Sequence, residues 1–204
     1  MHIPDGFLNA ATLATTGAVS ATGVGVAVRQ VNRKLKEKQV PLMGVLAAFI
    51  FAAQMLNFPV AGGTSGHVLG AALAAILLGP WTAVLIMACV LIAQSLIFQD
   101  GGLLALGANI FNMGLVAVFV SYFSYRFTTG LFGEARRVRL AAVAASLELA
   151  FSGASPLHIV LPAMVGVHAL IGIGEGFVTA AALGLVLVAR ADLWQVRNSR
   201  RSEA

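Results

Sequence analysis

Charged residues are scarce in this sequence. Only 10% of its 204 residues are Asp, Glu, Lys or Arg, whereas 59% are hydrophobic and the mean hydropathy is +0.90. A soluble domain has about 25% charged and about 45–50% apolar residues. Because so few charges cannot cover a water-facing surface, lipid must solvate much of the exterior, and the composition excludes a soluble globular protein.

The sequence also has only one cysteine and no phosphate-binding loop motif. The one cysteine, Cys89, excludes an intrachain disulfide and makes no metal site alone. It lies inside an apolar run, and we interpret it as a small buried hydrophobe. The pattern Gly-x-x-x-x-Gly-Lys does not occur, so we do not expect the chain to hydrolyse ATP.

A positively charged leader is missing as well. No Lys or Arg precedes Arg29, which argues against a signal peptide. We therefore expect Met1 to begin the mature chain. Its removal would require a small second residue, and the second residue is His2.

Long apolar runs dominate what remains. A membrane-spanning helix needs about 20 apolar residues, and seven segments are candidates, the third and sixth of them short. They are Leu8–Val28, Val40–Leu56, His67–Gly79, Trp81–Phe98, Leu103–Phe127, Leu140–Phe151 and Ile159–Ala189. We expect the last to be tilted or to begin with an interfacial turn marked by Pro162.

The thirteen Lys and Arg residues test this count. They fall in three groups, within residues 29–38, 126–139 and 190–201. Cytoplasmic loops are enriched in Lys and Arg, and seven spans with the N-terminus outside place all thirteen in the cytoplasm. Their position at the ends of apolar runs also argues against nucleic-acid binding.

The sequence thus predicts an all-α integral membrane protein, a bundle of seven transmembrane helices with a cytoplasmic C-terminus. We expect one transmembrane domain over residues 1–192, a polar cytoplasmic tail over residues 193–204, and a multi-pass location in the cell inner membrane.

The N-terminal dipeptide Met1-His2 carries a potential chelate. The α-amine has a pKa near 8 and can bind a metal once deprotonated. The His2 amide nitrogen closes a five-membered ring, and His2 Nδ1 closes a six-membered ring. Three nitrogens in one plane suit nickel(II) or copper(II), and low-spin cobalt(II) is also conceivable.

A fourth nitrogen is available from His67, which follows the Gly-rich stretch Ala61–Gly66 on the same predicted side. The flexible glycines allow close approach of the backbone, and Pro4 favours an extended tail that threads between the helices. Two simpler interpretations stand beside this one: a solvated N-terminus for His2, and a polar helix-end group for His67.

Several stretches, in the same order, resemble the nickel/cobalt substrate-binding components of energy-coupling factor transporters. They are Met1–Leu8, Phe58–Val60, Gly62–His67, Gln99–Leu103 with Asn109 and Asn112, and His168–Gly176. The resemblance covers nearly the whole chain. The octapeptide Met1–Leu8 is the specific part, since its position is fixed at the chain start.

The resemblance implies a membrane subunit that captures a metal ion, nickel(II) or cobalt(II), as the transported substrate. It implies metal ligands at Met1, His2 and His67. It also implies partners: a transmembrane coupling subunit and a pair of cytoplasmic ATPases, with a small accessory membrane subunit as a further candidate. Planar nitrogen coordination favours nickel over cobalt.

Other polar residues surround this predicted site. Asp5, Ser65, Asp100 and Asn109 are candidates for supporting the ligands, and loop capping is the alternative for the two aspartates. Ionisable residues within apolar runs are costly and often functional. For Glu148, His158, His168 and Glu175, a proton relay, an inner metal site and a polar clamp between helices remain open.

We expect capture outside, occlusion by the segment Asn57–Gly66, and release when ATP-driven partners reorient the subunit. The chain itself is not expected to be an enzyme. Two rival interpretations are a stand-alone metal permease and an intramembrane metalloenzyme.

Overall fold

Helices make up most of this chain. The structure, a computed structural model, describes residues 1–35, 37–61, 64–127 and 132–189. Its helices are α1 (Ala10–Lys34), α2 (Val40–Gln54), α3 (Ala71–Leu78), α4 (Pro80–Ala93), α5 (Leu106–Asn109), α6 (Ala117–Phe127), α7 (Phe132–Phe151) and α8 (Leu157–Ala189).

Two π-helical segments extend these elements. Gln94–Phe98 continues α4, and Ile110–Val116 joins α5 to α6 in one continuous helical segment. The described residues therefore form seven helical segments, as the apolar runs predict. Four of them are long and apolar enough to cross a membrane, namely α1, α4 with its π segment, α5 to α6, and α8. The number of complete crossings and the sidedness of the termini stay predictions.

The interior of the bundle is built around α4 and the α5–α6 segment. About half of the apolar part of each of these two candidate spans is buried, against about a fifth in α1 and in α8. The outer helices expose large apolar side chains, such as Leu170 and Leu185 on α8. An apolar exterior around a buried centre is the arrangement that lipid requires.

The third segment departs from a plain transmembrane helix. Helix α3 has 8 residues, which span only about 12 Å. The chain before it forms a β-hairpin, β1 (Phe58–Val60) and β2 (Thr64–Gly66), with Pro59 opposite Ser65. The all-α prediction therefore misses one hairpin, at Asn57–Gly66. Residues after β2 descend to α3 within the protein, where buried irregular backbone is tolerated.

Three predictions need correction or lie outside the described residues. Pro162 does not mark a break, because α8 continues through it from Leu157 to Ala189. Cys89 is exposed on the side of α4 rather than buried. The predicted tail, residues 193–204, and the loop residues Gly62 and Gly63 are outside the part of the chain that the structure describes.

Candidate metal centre

The first three residues are inserted into the bundle. Met1 and Ile3 have 0% of their surface exposed, and His2 has 3%. An N-terminal amine and an imidazole are polar groups whose burial is unfavourable without partners. The contacts of this segment, called the tail below (Met1–Gly6), therefore explain how it is held.

The side-chain amide of Asn109 forms hydrogen bonds to both backbone groups of Ile3, as a neighbouring β-strand would. Ile3 N donates to Asn109 Oδ1 (2.8 Å), and Asn109 Nδ2 donates to Ile3 O (3.1 Å). Gly102 N donates to the same carbonyl (2.9 Å). Because both backbone groups of Ile3 are satisfied, the depth to which the tail inserts is fixed.

Asp5 holds the outer part of the tail against the start of α5. Its Oδ2 and Oδ1 accept from Leu103 N and Ala105 N, each at 3.0 Å. A Cβ at position 102 would collide with the Asp5 carboxylate and backbone, so only Gly102 fits there. Of the two predicted roles for Asp5, the structure supports loop capping.

Ser65 on β2 faces the two N-terminal nitrogens. Met1 N donates to the Ser65 carbonyl and to Ser65 Oγ (3.2 Å). His2 N donates to the same Oγ (3.2 Å), and Thr64 Oγ1 donates to His2 O (3.2 Å). The hairpin thus lies directly against the amine and the amide that the predicted chelate uses.

The rings of His2 and His67 are stacked, with centroids 4.5 Å apart and planes inclined by 21°. His67 Nδ1 lies 2.9 Å from Val68 O, and since a carbonyl only accepts, Nδ1 carries the proton. His2 Nε2 lies 3.1 Å from Gln94 Oε1. Within the described residues, His2 Nδ1 and His67 Nε2 have no hydrogen-bond partner.

Burial makes the N-terminal nitrogens available for coordination. Desolvation holds the pKa of the Met1 amine well below its usual value, although Asp100 acts in the opposite direction. Burial is also the main reason that the pKa of His2 is lowered, while Asp100 and Gln94 partly compensate. Both shifts favour the neutral form, in which a nitrogen binds a metal.

A metal ion bound at this site would need main-chain nitrogens among its ligands. No cluster of three or more His, Cys, Asp or Glu suited to a metal occurs in the described ranges. Met1 N, His2 N, His2 Nδ1 and His67 Nε2 are instead brought together by the inserted tail and the hairpin. An all-nitrogen donor set is one that nickel(II) or copper(II) favours.

Asp100 lies beside this centre. Its Oδ1 is 3.2 Å from His2 Nδ1, without forming a hydrogen bond to it, and its Oδ2 accepts from Asn57 Nδ2 (3.1 Å). Of the four predicted supporting residues, Ser65, Asp100 and Asn109 contact the tail, and Asp5 belongs to it.

The remaining ionisable residues have separate environments. Glu175 Oε1 accepts from Leu69 N and from Gly70 N (2.8 Å) at the start of α3. Glu148 Oε2 accepts from Asn112 Nδ2 (2.8 Å). His168 Nδ1 donates to Met164 O (2.8 Å), and its Nε2 has no hydrogen-bond partner among the described residues, so no hydrogen bond joins it to Glu175.

His158 is exposed at the start of α8. These four ionisable residues, for which an inner metal site is one of the predictions, do not form a metal-binding group in the described part of the chain.

Sequence reasoning missed Gln54 and Gln94. Both are fully buried, and Gln94 contacts His2 directly. The available signal was a glutamine near the end of each of two apolar runs, where a buried amide must find a partner. Nothing in the sequence indicates which partner.

Comparisons with known proteins agree on one family. Residues 2–193 match the family model described as CbiM, cobalt uptake substrate-specific transmembrane region. The chain is 43% identical to a putative fused nickel transport protein NikMN of Archaeoglobus fulgidus, over 95% of this chain and 68% of that protein. It is 30% identical to the cobalt transport protein CbiM of Sorangium cellulosum, over 95% of this chain and 94% of that one.

A solved structure is also similar. The crystal structure of a truncated transition metal transporter superposes with a TM-score of 0.86 at 36% sequence identity. The match covers 92% of this chain and 98% of that one.

Proposed function

Because this chain belongs to the CbiM family of membrane proteins that transport nickel and cobalt, we propose that it captures nickel(II) with the start of its own polypeptide. The ligands are the Met1 amine, the His2 amide and Nδ1, and His67 Nε2. The metal is the transported substrate, and the chain is the substrate-binding subunit of an ATP-driven importer.

One observation carries the proposal. The tail is buried in the bundle, and the His2 ring is stacked on the His67 ring, 65 positions away in the chain, with centroids 4.5 Å apart. Each ring keeps one buried nitrogen without a hydrogen-bond partner in the described structure. Leaving such atoms unpaired is unfavourable, and a metal ion would satisfy both.

The chemistry of the donors favours nickel over cobalt. A deprotonated amide is a strong-field ligand, and four nitrogens in a plane suit a d8 ion such as nickel(II). Ser65 Oγ, 3.2 Å from both Met1 N and His2 N, supports the chelate itself because it holds the amine and the amide side by side.

The transport cycle needs partners. The sequence contains no phosphate-binding Gly-x-x-x-x-Gly-Lys pattern, so the energy must come from elsewhere. We propose a transmembrane coupling subunit and a pair of cytoplasmic ATPases, acting on this subunit in the cytoplasmic membrane. In this scheme residues 1–192 form the metal-binding domain.

The test is a nickel titration of protein with a free Met1, purified through a C-terminal tag. The matched variant carries Gly-Ser before Met1. Two added residues remove the amine from the chelate, whereas a single one would create a new amine-x-x-His chelate. We expect a visible band of planar d8 nickel in the native protein only, and affinity weaker by more than about a hundredfold in the variant.

His67→Ala should have a similar effect, and His158→Ala, an exposed histidine outside the site, serves as its control. Equal nickel affinity of the native, extended and His67→Ala proteins would refute the proposed ligands.

A further inference from the structure

Two buried glutamines connect the His2 ring to the backbone beside His67. His2 Nε2 lies 3.1 Å from Gln94 Oε1, Gln94 Nε2 donates to Gln54 Oε1 (3.1 Å), and Gln54 Nε2 donates to Leu69 O (2.7 Å). Gln54 and Gln94 have 0% exposure. We infer that Gln54 and Gln94 are positioning residues that fix the tautomer of His2 so that Nδ1 is free for the metal.

The donor-to-acceptor direction of these hydrogen bonds is fixed at the Leu69 carbonyl. The Leu69 carbonyl can only accept, so Gln54 must turn its NH₂ group towards it and its oxygen towards Gln94. Gln94 must then present NH₂ to Gln54 and oxygen to His2. An oxygen facing His2 Nε2 requires a proton on Nε2, and a neutral imidazole then has its lone pair on Nδ1.

The tautomer of His67 is fixed in the same way, by a single hydrogen bond. His67 Nδ1 donates to Val68 O (2.9 Å), which leaves the lone pair on Nε2. Two neighbouring carbonyls, those of Val68 and Leu69, therefore determine which nitrogen of each ring is the acceptor. One acts directly, and the other acts through Gln54 and Gln94.

Without the glutamines, the opposite tautomer of His2 would be favoured. Asp100 Oδ1 is 3.2 Å from His2 Nδ1, and a carboxylate only accepts hydrogen bonds. A proton on Nδ1 would be stabilised by the nearby Asp100 charge and would block the chelate. The glutamines therefore oppose Asp100, and their effect does not depend on touching the metal.

This inference rests on the proposed function, but its first test needs no metal. We would measure ¹⁵N NMR spectra of the nickel-free protein labelled at histidine, with the His2 signals identified by their loss in a His2→Ala variant. We expect a protonated Nε2 and a bare Nδ1 in the wild-type protein. In Gln54→Met, Gln94 is free to turn its amide over, and we expect the proton to move to Nδ1.

Nickel affinity is the second readout. We expect Gln54→Met to weaken binding about tenfold, at the lower end of the usual effect of residues that orient a ligand. Ser20→Ala, which removes a side-chain hydrogen bond to Gly107 O elsewhere in the bundle, should change neither readout. A wild-type His2 with its proton on Nδ1 would overturn the inference, even if Gln54→Met did not fold. An unchanged tautomer in a folded Gln54→Met protein would also overturn it.

If the wild-type protein showed the expected tautomer but bound no nickel, the proposed function would fail while the assignment of the glutamines stood.

Discussion

At the scale of single residues, this site depends on groups that are usually solvated. An N-terminal amine in water is mostly protonated at pH 7, and its proton competes with a metal. Inside this bundle burial lowers the pKa of both the Met1 amine and His2. Folding thus favours the loss of these protons before any metal arrives.

This predicts the number of protons that nickel releases. At pH 7 we expect fewer from the protein than from a free Met-His dipeptide, because burial shifts the amine and the imidazole towards their neutral forms. A free Met-His dipeptide should release about two, since its amine is still charged. Calorimetry in buffers of different ionisation enthalpy measures this number. A protein that released as many protons as the dipeptide would contradict the lowered amine pKa.

Some residues of the site can be predicted from the sequence and others cannot. The Met1–His2 chelate is visible in the sequence because its three donors are consecutive, and His67 follows a Gly-rich stretch. The role of Gln94 could not be assigned from the sequence, because it depends on two further residues. Gln94 contacts Gln54, 40 positions away, and Gln54 contacts Leu69, 15 positions away. Such a sequence of hydrogen bonds exists only after the helices pack.

At the scale of elements, irregular helices surround the inserted tail. Gln94 begins one π segment, and Asn109 precedes the other, and these two residues contact His2 and Ile3 respectively. Single π turns within helices occur frequently at functional sites. Hydropathy predicts the helices well but carries no signal for a local change from α to π.

The short helix α3 depends on α8 for its anchorage. Glu175 of α8 accepts from Leu69 N and Gly70 N, which are donors at a helix start that α3 itself cannot satisfy. A carboxylate is also favourable at this end of a helix. Because His67 lies only two residues before Leu69, the same contact supports a proposed ligand.

Replacing Glu175 should therefore affect both stability and binding. We expect Glu175→Leu to lower the midpoint of thermal unfolding in detergent by roughly 5–10 °C, since each buried N–H left unpaired costs about 1–3 kcal/mol. Glu175→Gln keeps an acceptor and should lose less. The control is Glu37→Leu at an exposed position. A Glu175→Leu protein that melts like the wild type would show that this anchorage contributes little.

At the scale of the whole molecule, basic residues and the candidate site lie at opposite ends of α1. Five Lys and Arg residues fall within residues 29–38 of the sequence, and two of them, Arg33 and Lys34, are in the last turn of α1. None lies within residues 1–9, 57–66, 99–102 or 152–158, which include the tail and the hairpin. Since basic residues remain in the cytoplasm, we predict that the tail enters from the outer side.

Cysteine labelling tests this sidedness. In a Cys89→Ala background, Ala154→Cys marks the turn before α8 and Glu37→Cys marks the residues after α1, and both positions are exposed. A membrane-impermeant maleimide should label Ala154→Cys in intact spheroplasts and Glu37→Cys only after lysis.

The result bears directly on the direction of transport. The Met1 amine is continuous with the tail, so it cannot reach the other face unless the whole subunit reorients. The opposite labelling pattern would therefore present the proposed metal centre to the cytoplasm, and a subunit that takes up nickel from outside could not work in that orientation.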